Sequence, residues 1–597
     1  MSGYAAPLAE MRFALDAIAG LGEIAALPGC EAAAAPETVD AILEEAAKFA
    51  SEVLAPLNPV GDRERARLDN GMVRLPTGFA AAYDAFVAGG WNGLALPEAA
   101  GGQGLPLALG IAVLEMWTSA NLAFSLCPIL TQATAELLIA HGSAEQRRLY
   151  LDKLVRGEWA GTMNLTEPQA GSDLGAVRMR AVKDGDHYRL TGQKIFITYG
   201  EHDLAPNIIH AVLARTPDTL PGSKGLSLFL VPKFLGGADG DPGARNDIRC
   251  LKLEDKLGIH ASPTCVLSYG DNGGAIGTLI GEEGRGIEYM FLMMNGARLN
   301  VGLQGTAIAE RAYQQARDYA LSRIQGRPIA AKNGQAAPIA HHPDVRRMLL
   351  AMRSDAEATR ALLYYTAGTI DRARHDRDGE ARAQHQARAD LLIPIAKAWS
   401  TERGFEAAST GIQVHGGMGY IEETGAAQYL RDARIALIYE GTNGIQANDL
   451  LTRKLARDGG AAMRALIAEM RALDAELAAE SEGALAALRP HLRDGIGALA
   501  TASESLLAAY RAKPERALAG AMPYLRLFGL VTAGWLMAKA ALAAWQRRAQ
   551  NEAAREFCAA KLVTTRFFAE QSLTTAPGLL PAIVGGETVM NLGPDLL

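Results

Sequence analysis

The stretch Tyr439-Glu-Gly-Thr-Asn-Gly-Ile-Gln446 sets one carboxylate, Glu440, in a glycine-containing turn beside small polar side chains. A carboxylate that is partly removed from water has a raised pKa and can take a proton from the carbon next to a carbonyl group. We therefore predict that Glu440 is a general base. Because a glutamate before a glycine is by itself more often a solvated loop residue, this interpretation depends on the rest of the chain.

The composition limits the classes of protein to which the chain can belong. Its 597 residues exceed the size of a single core, which stops growing at roughly 250–300 residues. A net charge of −7 and scattered Lys and Arg residues argue against a nucleic-acid partner. The five cysteines are scattered and odd in number, so they predict neither a disulfide framework nor a metal site.

The ends of the chain and its apolar runs bear on localisation. The N-terminus lacks the features of a secretory signal or a transit peptide. The longest apolar run lies between Arg526 and Lys539, and it is shorter than the ~18 residues of a membrane span. These features predict a cytoplasmic protein with no membrane partner.

Hydrophobic spacing divides the chain into five predicted segments. Residues 1–35 form an N-terminal extension, 36–160 a helical domain, 161–277 an antiparallel β domain, 278–457 a helical bundle that carries Glu440, and 458–597 an added helical domain. Within the β domain, short β-rich runs predict strands at 187–198, 208–215, 225–231 and 265–269. The Ala- and Leu-rich last segment is typical of packing or oligomerisation helices. A regulatory or partner-binding role for it stays open.

Three motifs carry a resemblance to a known family. The segment Met163-Asn-Leu-Thr-Glu-Pro-Gln-Ala-Gly-Ser-Asp173 resembles the T-E-P-x-A-G-S-D signature of the acyl-CoA dehydrogenase family. Gln413-Val-His-Gly-Gly-Met-Gly-Tyr420 resembles that family's Q-x-x-G-G-x-G-Y motif, and the turn around Glu440 resembles its catalytic turn. The resemblance implies a mainly α fold with a central β-barrel, FAD as the cofactor, and α,β-dehydrogenation of an acyl-CoA thioester.

The glycines of these motifs agree with binding of an anionic cofactor. Gly171, Gly416, Gly417 and Gly419 let backbone N–H groups approach a ligand closely, which would suit a pyrophosphate. A Gly-Gly pair alone is more often a simple turn, so the evidence lies in the order of the motifs.

The resemblance also implies a role for individual residues at the cofactor. Phe196 would cover the flavin ring and Thr198 would lie near its N5 atom, while Arg323, at the end of a helix predicted over 311–323, would bind the pyrophosphate. The remaining predicted FAD contacts are Leu165, Thr166, Ser172, Gln413, Gly416, Gly417 and Thr442. Phe196 replaces the family's tryptophan, which keeps an aromatic ring but removes an indole N–H donor.

Four residues are implied at the acyl-CoA: Ser172, Asn295, Arg298 and Gly441. Asn295 replaces the aspartate of the family's D-x-x-R pattern. We therefore expect a polar contact with the substrate there, and the loss of a charged partner for Arg298. Some members of the family carry their base just before this arginine. Ala297 occupies that position here, which leaves Glu440 as the predicted base.

Within the family, segments 7–16, 41–49 and 200–204 and the added helical domain resemble the subgroup that acts on 3-methylmercaptopropionyl-CoA. The resemblance further implies a homodimer and an electron-transferring flavoprotein as electron acceptor. Three alternatives stay open: a dehydrogenase of another short- or medium-chain acyl-CoA, an acyl-CoA oxidase that reduces oxygen, and a flavin-containing DNA-binding protein of the same fold that is linked to DNA damage. The near-equal charges of the last segment disfavour a phosphate-binding face.

Overall fold

Helices flank a single large sheet in the computed structural model, in the order that the sequence predicted. The structure describes residues 3–596 apart from 34, 218, 237–240, 330–334, 480–482, 551 and 553. The helices that precede the large sheet in the chain are α1 (Leu8–Ala14), α2 (Leu21–Ile24), α3 (Pro36–Lys48), α4 (Ala55–Glu64), α5 (Phe79–Ala88), α6 (Leu107–Ala120), α7 (Leu122–His141), α8 (Ala144–Gln146) and α9 (Asp152–Arg156).

The strands confirm a central β region, with β1 and β2 lying before it in the chain. They are β1 (Arg67–Asp69), β2 (Met72–Arg74), β3 (Ala160–Asn164), β4 (Arg180–Asp184), β5 (His187–Thr198), β6 (Ile208–Arg215), β7 (Leu226–Pro232), β8 (Phe234–Gly236), β9 (Pro242–Arg245), β10 (Ile248–Leu253), β11 (Thr264–Tyr269) and β12 (Ala275–Ile280). Two of the predicted strands, at 187–198 and 208–215, match β5 and β6 at both ends.

The large sheet closes on itself as a small barrel. Strand β5 pairs with β12, β12 with β7, β7 with β6, and β4 joins β6 back to β5. The prediction of an antiparallel domain holds for most of these pairs but is wrong for two: β4 meets β6 in parallel at a single residue pair, and β3 runs parallel to β6 along its length. The connection between them passes through β4 and β5, and a connection of that length permits parallel pairing, which a hairpin does not.

The helices after the sheet form the bundle and the added domain. They are α10 (Gly286–Ser322), α11 (Pro343–His375), α12 (Gly379–His415), α13 (Ala426–Ala433), α14 (Asn443–Asp449), α15 (Ala461–Ala479), α16 (Ala484–Ala512), α17 (Pro514–Ala519), α18 (Ala521–Gln550), α19 (Arg555–Gln571), α20 (Leu580–Val584) and α21 (Glu587–Asn591). The middle turns of α11 and α12 are buried all round, as expected for helices in the centre of a bundle.

The chain divides into two compact units. The bundle unit contains Met1–Ala47, Pro106–Ser119 and Arg298–Leu597, and the sheet unit contains Lys48–Leu105 and Ala120–Ala297. The helical stretch predicted at 36–160 therefore contributes α3 (except its last residue) and α6 to the bundle unit, and α4, α5 and α7–α9 to the sheet unit.

Within the bundle unit, a buried lysine connects three distant parts of the chain. The Lys561 ammonium, on α19, donates a hydrogen bond to Glu10 of α1 and lies 2.8 Å from Glu357 of α11. All three side chains are nearly inaccessible to solvent. The N-terminal extension and the added helical domain thus share one ionic cluster with the bundle.

Among the residues that the structure describes, two helices have the length and hydropathy that a membrane span requires, Leu122–His141 and Ala521–Ala549. The second contains the apolar run that the sequence analysis judged too short. In both helices 83% of the most apolar window is buried inside the protein, which is typical of core helices.

Candidate active site

The turn that carries Glu440 has a strained backbone. Glu440 has φ +56° and the following Gly441 has φ +85°. A residue with a Cβ rarely adopts the left-handed region, and holding it there costs on the order of 1–3 kcal/mol. Such strain persists only where surrounding contacts impose it, and it is concentrated at functional sites.

Two side chains impose this conformation by binding backbone oxygens of the turn. Gln446, one turn into α14, donates from Nε2 to the oxygen of Glu440 at 3.1 Å. Lys397, on α12, donates from Nζ to the oxygen of Gly441 at 2.9 Å. Thr442 caps α14 by accepting the N–H of Ile445 at 3.2 Å. The predicted base therefore stands on a turn that is fixed at both of its peptide oxygens.

The electrostatic setting of Glu440 suits a base. Burial raises the pKa of its carboxyl, and the positive charges of Arg298 and Lys397 act in the opposite direction. A carboxylate of intermediate basicity is the form that proton abstraction near neutral pH requires. The local geometry and the charges thus agree with the predicted role.

Arg298 has a charged partner, contrary to the sequence prediction. Its Nη1 lies 3.6 Å from Oδ2 of Asp449, and both side chains are almost fully buried. Asp449 ends α14, so the carboxylate comes from the helix that follows the catalytic turn. The predicted loss of a partner was wrong because the replacement at Asn295 is compensated from a different element. Asn295 itself is half-buried on α10, one turn before the arginine.

The predicted flavin-facing residues lie in the sheet unit, around a bulge in β5. Lys194 and Ile197 of β5 both pair with residues of β11. Two residues of β5 lie between them, whereas a single residue of β11 lies between their partners, and this extra residue makes the bulge. Phe196 lies in this bulge with φ +59° and leaves 58% of its surface exposed. An exposed aromatic ring on a strained bulge is an arrangement that fits stacking on a flat ligand.

Backbone contacts order the neighbouring predicted residues. The oxygen of Thr166 accepts the N–H of Ile195 at 2.9 Å, and the oxygen of Thr198 accepts the hydroxyl of Thr162 at 2.7 Å. Leu165, Thr166 and Thr198 are half-buried, whereas Ser172 is exposed. The T-E-P segment and the end of β5 therefore form one ordered surface.

A buried ion pair beneath this surface was missed by the sequence analysis. Lys194 Nζ lies 2.9 Å from Oε1 of Glu167 and 2.9 Å from the backbone oxygen of Leu165. Both charged side chains are almost completely buried. The alternation along β5 gave a signal, because residues 188, 190, 192 and 194 share one face of a strand and 188 and 190 are apolar. A lysine on that face needs a buried partner.

The second predicted cofactor set lies in the bundle unit, at the end of α12. Gln413, Gly416 and Gly417 are exposed. Gly416 has φ +61°, and a Cβ added there or at Gly417 would meet no atom within 4 Å. Arg323 is exposed one residue beyond α10, which ends at Ser322, so the predicted helix end was one residue too late. Open glycines with an exposed arginine and amide fit a diphosphate group. Each unit therefore carries groups that suit one part of FAD.

Lys397 is the second functional residue that the sequence analysis missed. It is fully buried on α12, and it is the lone charge within the apolar stretch 391–399. That isolation was the available signal, since a lysine in an apolar helical segment requires acceptors that only the fold can supply.

Comparison with known proteins identifies the family. The chain matches the N-terminal domain model of the acyl-CoA dehydrogenases over residues 36–158, the middle domain over 162–271 and the C-terminal domain over 284–455. Residues 461–592 match a model described as acetyl-CoA dehydrogenase C-terminal like.

Relatives of similar length support the match. The chain is 49% identical to the 3-methylmercaptopropionyl-CoA dehydrogenase of Ruegeria pomeroyi, over 96% of both chains. It is 34% identical to a butyryl-CoA dehydrogenase of Syntrophomonas wolfei, over 92% of both. Among solved structures, Caenorhabditis elegans ACDH-11 in complex with C11-CoA has a TM-score of 0.76 at 20% identity, with 96% of this chain and 93% of that chain covered.

These matches confirm the predicted fold, the predicted reaction class and FAD as the cofactor. The three domain models follow one another in the family's order between residues 36 and 455, and the two relatives match 96% and 92% of this chain. The chain belongs to the acyl-CoA dehydrogenase family.

Proposed function

We propose that the protein oxidises 3-methylmercaptopropionyl-CoA to methylthioacryloyl-CoA, with Glu440 as the base. The observation that supports this substrate is the 49% identity, over 96% of both chains, to a relative of that name. The predicted residue roles at FAD and at the acyl-CoA are part of the same proposal.

Glu440 takes the proton from the α-carbon of the thioester. Its carboxylate is held by the strained turn and is partly desolvated, so it needs little reorganisation before the transfer. When bound, FAD supplies the acceptor for the hydride that leaves the β-carbon. Loss of one proton and one hydride leaves a trans double bond between the two carbons.

The bundle unit supplies the positive charge that this proton transfer needs nearby. Arg298 is buried and is neutralised in part by Asp449, and both Arg298 and Lys397 act on Glu440. Two cations beside the carboxylate favour its ionised form before reaction. Asn295, Ser172 and Gly441 are proposed to contact the acyl-CoA.

We further propose an electron-transferring flavoprotein as the acceptor, a homodimer as the assembly, and the cytoplasm as the location. Exposed apolar side chains that follow Gly416 and Gly417 support an association surface, because a turn in contact with solvent seldom carries several exposed apolar side chains close together. Met418, Tyr420 and Ile421 are 49%, 85% and 45% exposed. The mass of the purified protein in solution tests the dimer.

The substrate is tested by following the flavin spectrum without oxygen. We expect 3-methylmercaptopropionyl-CoA to bleach the visible absorption band of the oxidised flavin faster than butyryl-CoA, octanoyl-CoA or palmitoyl-CoA. Faster bleaching by another chain would reject this substrate and keep the reaction class. No bleaching by any thioester would contradict the proposed function.

The base is tested by Glu440→Gln, which keeps the size of the side chain and removes its charge. We expect the variant to retain FAD and lose bleaching, because an amide cannot accept the α-proton. Glu515→Gln, an exposed glutamate of the added domain, is the matched control and should bleach at the wild-type rate. Fast bleaching by Glu440→Gln would place the base elsewhere.

The acceptor is tested by turnover with either oxygen or an electron-transferring flavoprotein. Turnover that is fast with the flavoprotein and slow with oxygen supports the dehydrogenase. The reverse result would identify an oxidase.

A further inference from the structure

Lys397 lies at the centre of the bundle unit, and its side chain has no exposed surface. Its ammonium nitrogen is 2.9 Å from the backbone oxygen of Gly441 and 2.9 Å from Oδ1 of Asn443. Both acceptors are neutral oxygens of the catalytic turn and of the first residue of α14. A fully buried lysine is rare, so a pair of neutral acceptors calls for an explanation beyond packing.

The contacts of Asn443 show that the lysine belongs to a larger clamp. Asn443 Nδ2 donates to the oxygen of Ala398 at 3.2 Å and to Oγ1 of Thr401 at 3.1 Å. Both acceptors lie on α12, beside Lys397. The beginning of α14 and the peptide after Glu440 are therefore fixed to one face of α12.

The clamp acts on the part of the backbone that carries the strain. Gly441 has φ +85° directly after Glu440 with φ +56°, and Lys397 holds the oxygen of Gly441. Without that donor, the oxygen of Gly441 would keep only the longer, 3.4 Å hydrogen bond from Nε2 of Gln446, and the peptide could relax toward a less strained conformation. Rotation there would move the carboxylate of Glu440 away from its position.

Charge adds a second effect. The groups that face Lys397 are Glu440 from the turn, Arg298 from α10 and Glu402 from α12. Burial lowers the pKa of Lys397 to about 7, while its charge and that of Arg298 lower the pKa of Glu440 against the effect of burial. The lysine and the predicted base thus influence each other's ionisation.

We propose that Lys397 is a positioning residue for the catalytic base: its ammonium fixes the left-handed turn at Glu440 and Gly441 and supplies positive charge that favours the ionised carboxylate. It acts through Glu440 and does not touch the reacting carbons. This assignment rests on the proposed function, because it takes Glu440 as the base.

The test uses the purified holoenzyme and its anaerobic bleaching by 3-methylmercaptopropionyl-CoA as a function of pH. In Lys397→Met we expect the rate of bleaching to fall about 100-fold, since a displacement of about 1 Å at a reacting group has that effect. The substrate concentration for half-maximal rate should change less than about threefold, because only the transition state is affected.

The pH profile separates positioning of the base from a merely structural role. Loss of a cation raises the pKa of Glu440, so the rise of the rate with pH should move to higher pH in Lys397→Met. Lys397→Gln keeps an N–H donor and lacks the charge, so it should lose less rate and show the same shift. It also keeps the inference testable if Lys397→Met does not fold.

Lys539→Met is the matched control. Lys539 is a half-buried lysine of α18, outside the turn and its clamp, and its variant should match the wild type in rate and in pH profile. The assignment would be overturned if the Lys397 variants bleached at the wild-type rate with an unchanged pH profile. It would also be overturned if Lys397→Met bleached slowly but its pH profile did not shift. If the wild type itself is not bleached by any thioester, the proposed function fails first, and the two failures are distinguishable.

Discussion

The buried ion pair of Lys194 and Glu167 should decide whether the T-E-P segment stays ordered. Lys194 has no exposed surface, and Glu167 is 4% exposed. The lysine also donates to the backbone oxygen of Leu165 at 2.9 Å, and Leu165 is a predicted FAD contact. We therefore expect Lys194→Met to weaken both this surface of the sheet unit and its hold on the cofactor.

The structure sets the size of the effect. Removing one partner of a buried pair costs about 3–5 kcal/mol because the other charge is left uncompensated. Glu167 would keep the backbone N–H groups of Arg178 at 2.7 Å and Met179 at 3.0 Å, which places the loss near the lower end, about 3 kcal/mol. The unpaired oxygen of Leu165 adds about 1 kcal/mol. The expected loss is about 4 kcal/mol, or nearly a thousandfold in the opening equilibrium.

Hydrogen exchange measured by mass spectrometry reports this local opening directly. Peptides that cover residues 165–172 and 194–198 should exchange faster in Lys194→Met, and the ratio of bound flavin to protein should fall. Lys252→Met is the matched control. Lys252 forms an exposed pair with Glu254 at 3.1 Å on the same sheet, and such pairs contribute about 0–1 kcal/mol.

A double variant checks the physical cause. In Lys194→Met with Glu167→Gln, no charge is left buried, so the loss should be roughly half of that in the single variant. Unchanged exchange and flavin content in Lys194→Met would refute the reasoning. A double variant that is weaker than the single one would refute its electrostatic part.

Three further predictions concern the turn, its ionisation and the added domain. Burial raises the pKa of Glu440, and the base must be ionised to accept a proton. In stopped-flow measurements the bleaching rate of the wild type should therefore rise with pH, with a midpoint above the ordinary glutamate pKa of about 4.3. A lower midpoint would contradict this. Gly441→Ala adds a Cβ to a residue with φ +85°, and this atom would lie 2.7 Å from a side-chain nitrogen. The variant should bleach more slowly while FAD stays bound. Gly444→Ala, whose Cβ would have no contact closer than 3.8 Å, should match the wild type. Lys561→Met removes the buried cation that Glu10 and Glu357 share, although Glu357 keeps Arg353 at 2.8 Å. It should destabilise the protein in thermal unfolding by about 3 kcal/mol, the lower end for a broken buried pair. Arg566→Ala, in an exposed pair, should change the stability little; equal effects in the two variants would contradict the role of burial.

Local patterns accounted for most of the secondary structure. Short β-rich runs bounded by Gly, Pro and Asp predicted β5 and β6 to the residue, because these three residue types interrupt strands while β-branched and aromatic residues favour them. Helix ends were less well defined: the helix predicted over 311–323 is the last part of α10, which runs from Gly286 to Ser322, because a helix buried on several sides lacks a one-sided apolar pattern.

The sequence predicted the strands but only part of their pairing. Alternation identifies a strand but does not specify its neighbour, so the parallel pair of β3 and β6 could not be read from either segment. The barrel closure through β4 is of the same kind, since it depends on one contact between strands that are far apart in sequence.

The residues of the candidate site likewise fall into those that the sequence predicted and those that only the structure revealed. The sequence by itself determined the base, the glycine motifs and the family resemblance, because each lies in a short segment whose residue types carry the chemistry. Only the tertiary structure decided which groups support them: Asp449 pairs with Arg298, Lys397 holds the Gly441 oxygen, and Lys194 lies beneath the T-E-P segment. A buried charge must find its partner wherever the fold brings one within a few ångströms, and no spacing along the chain encodes that distance.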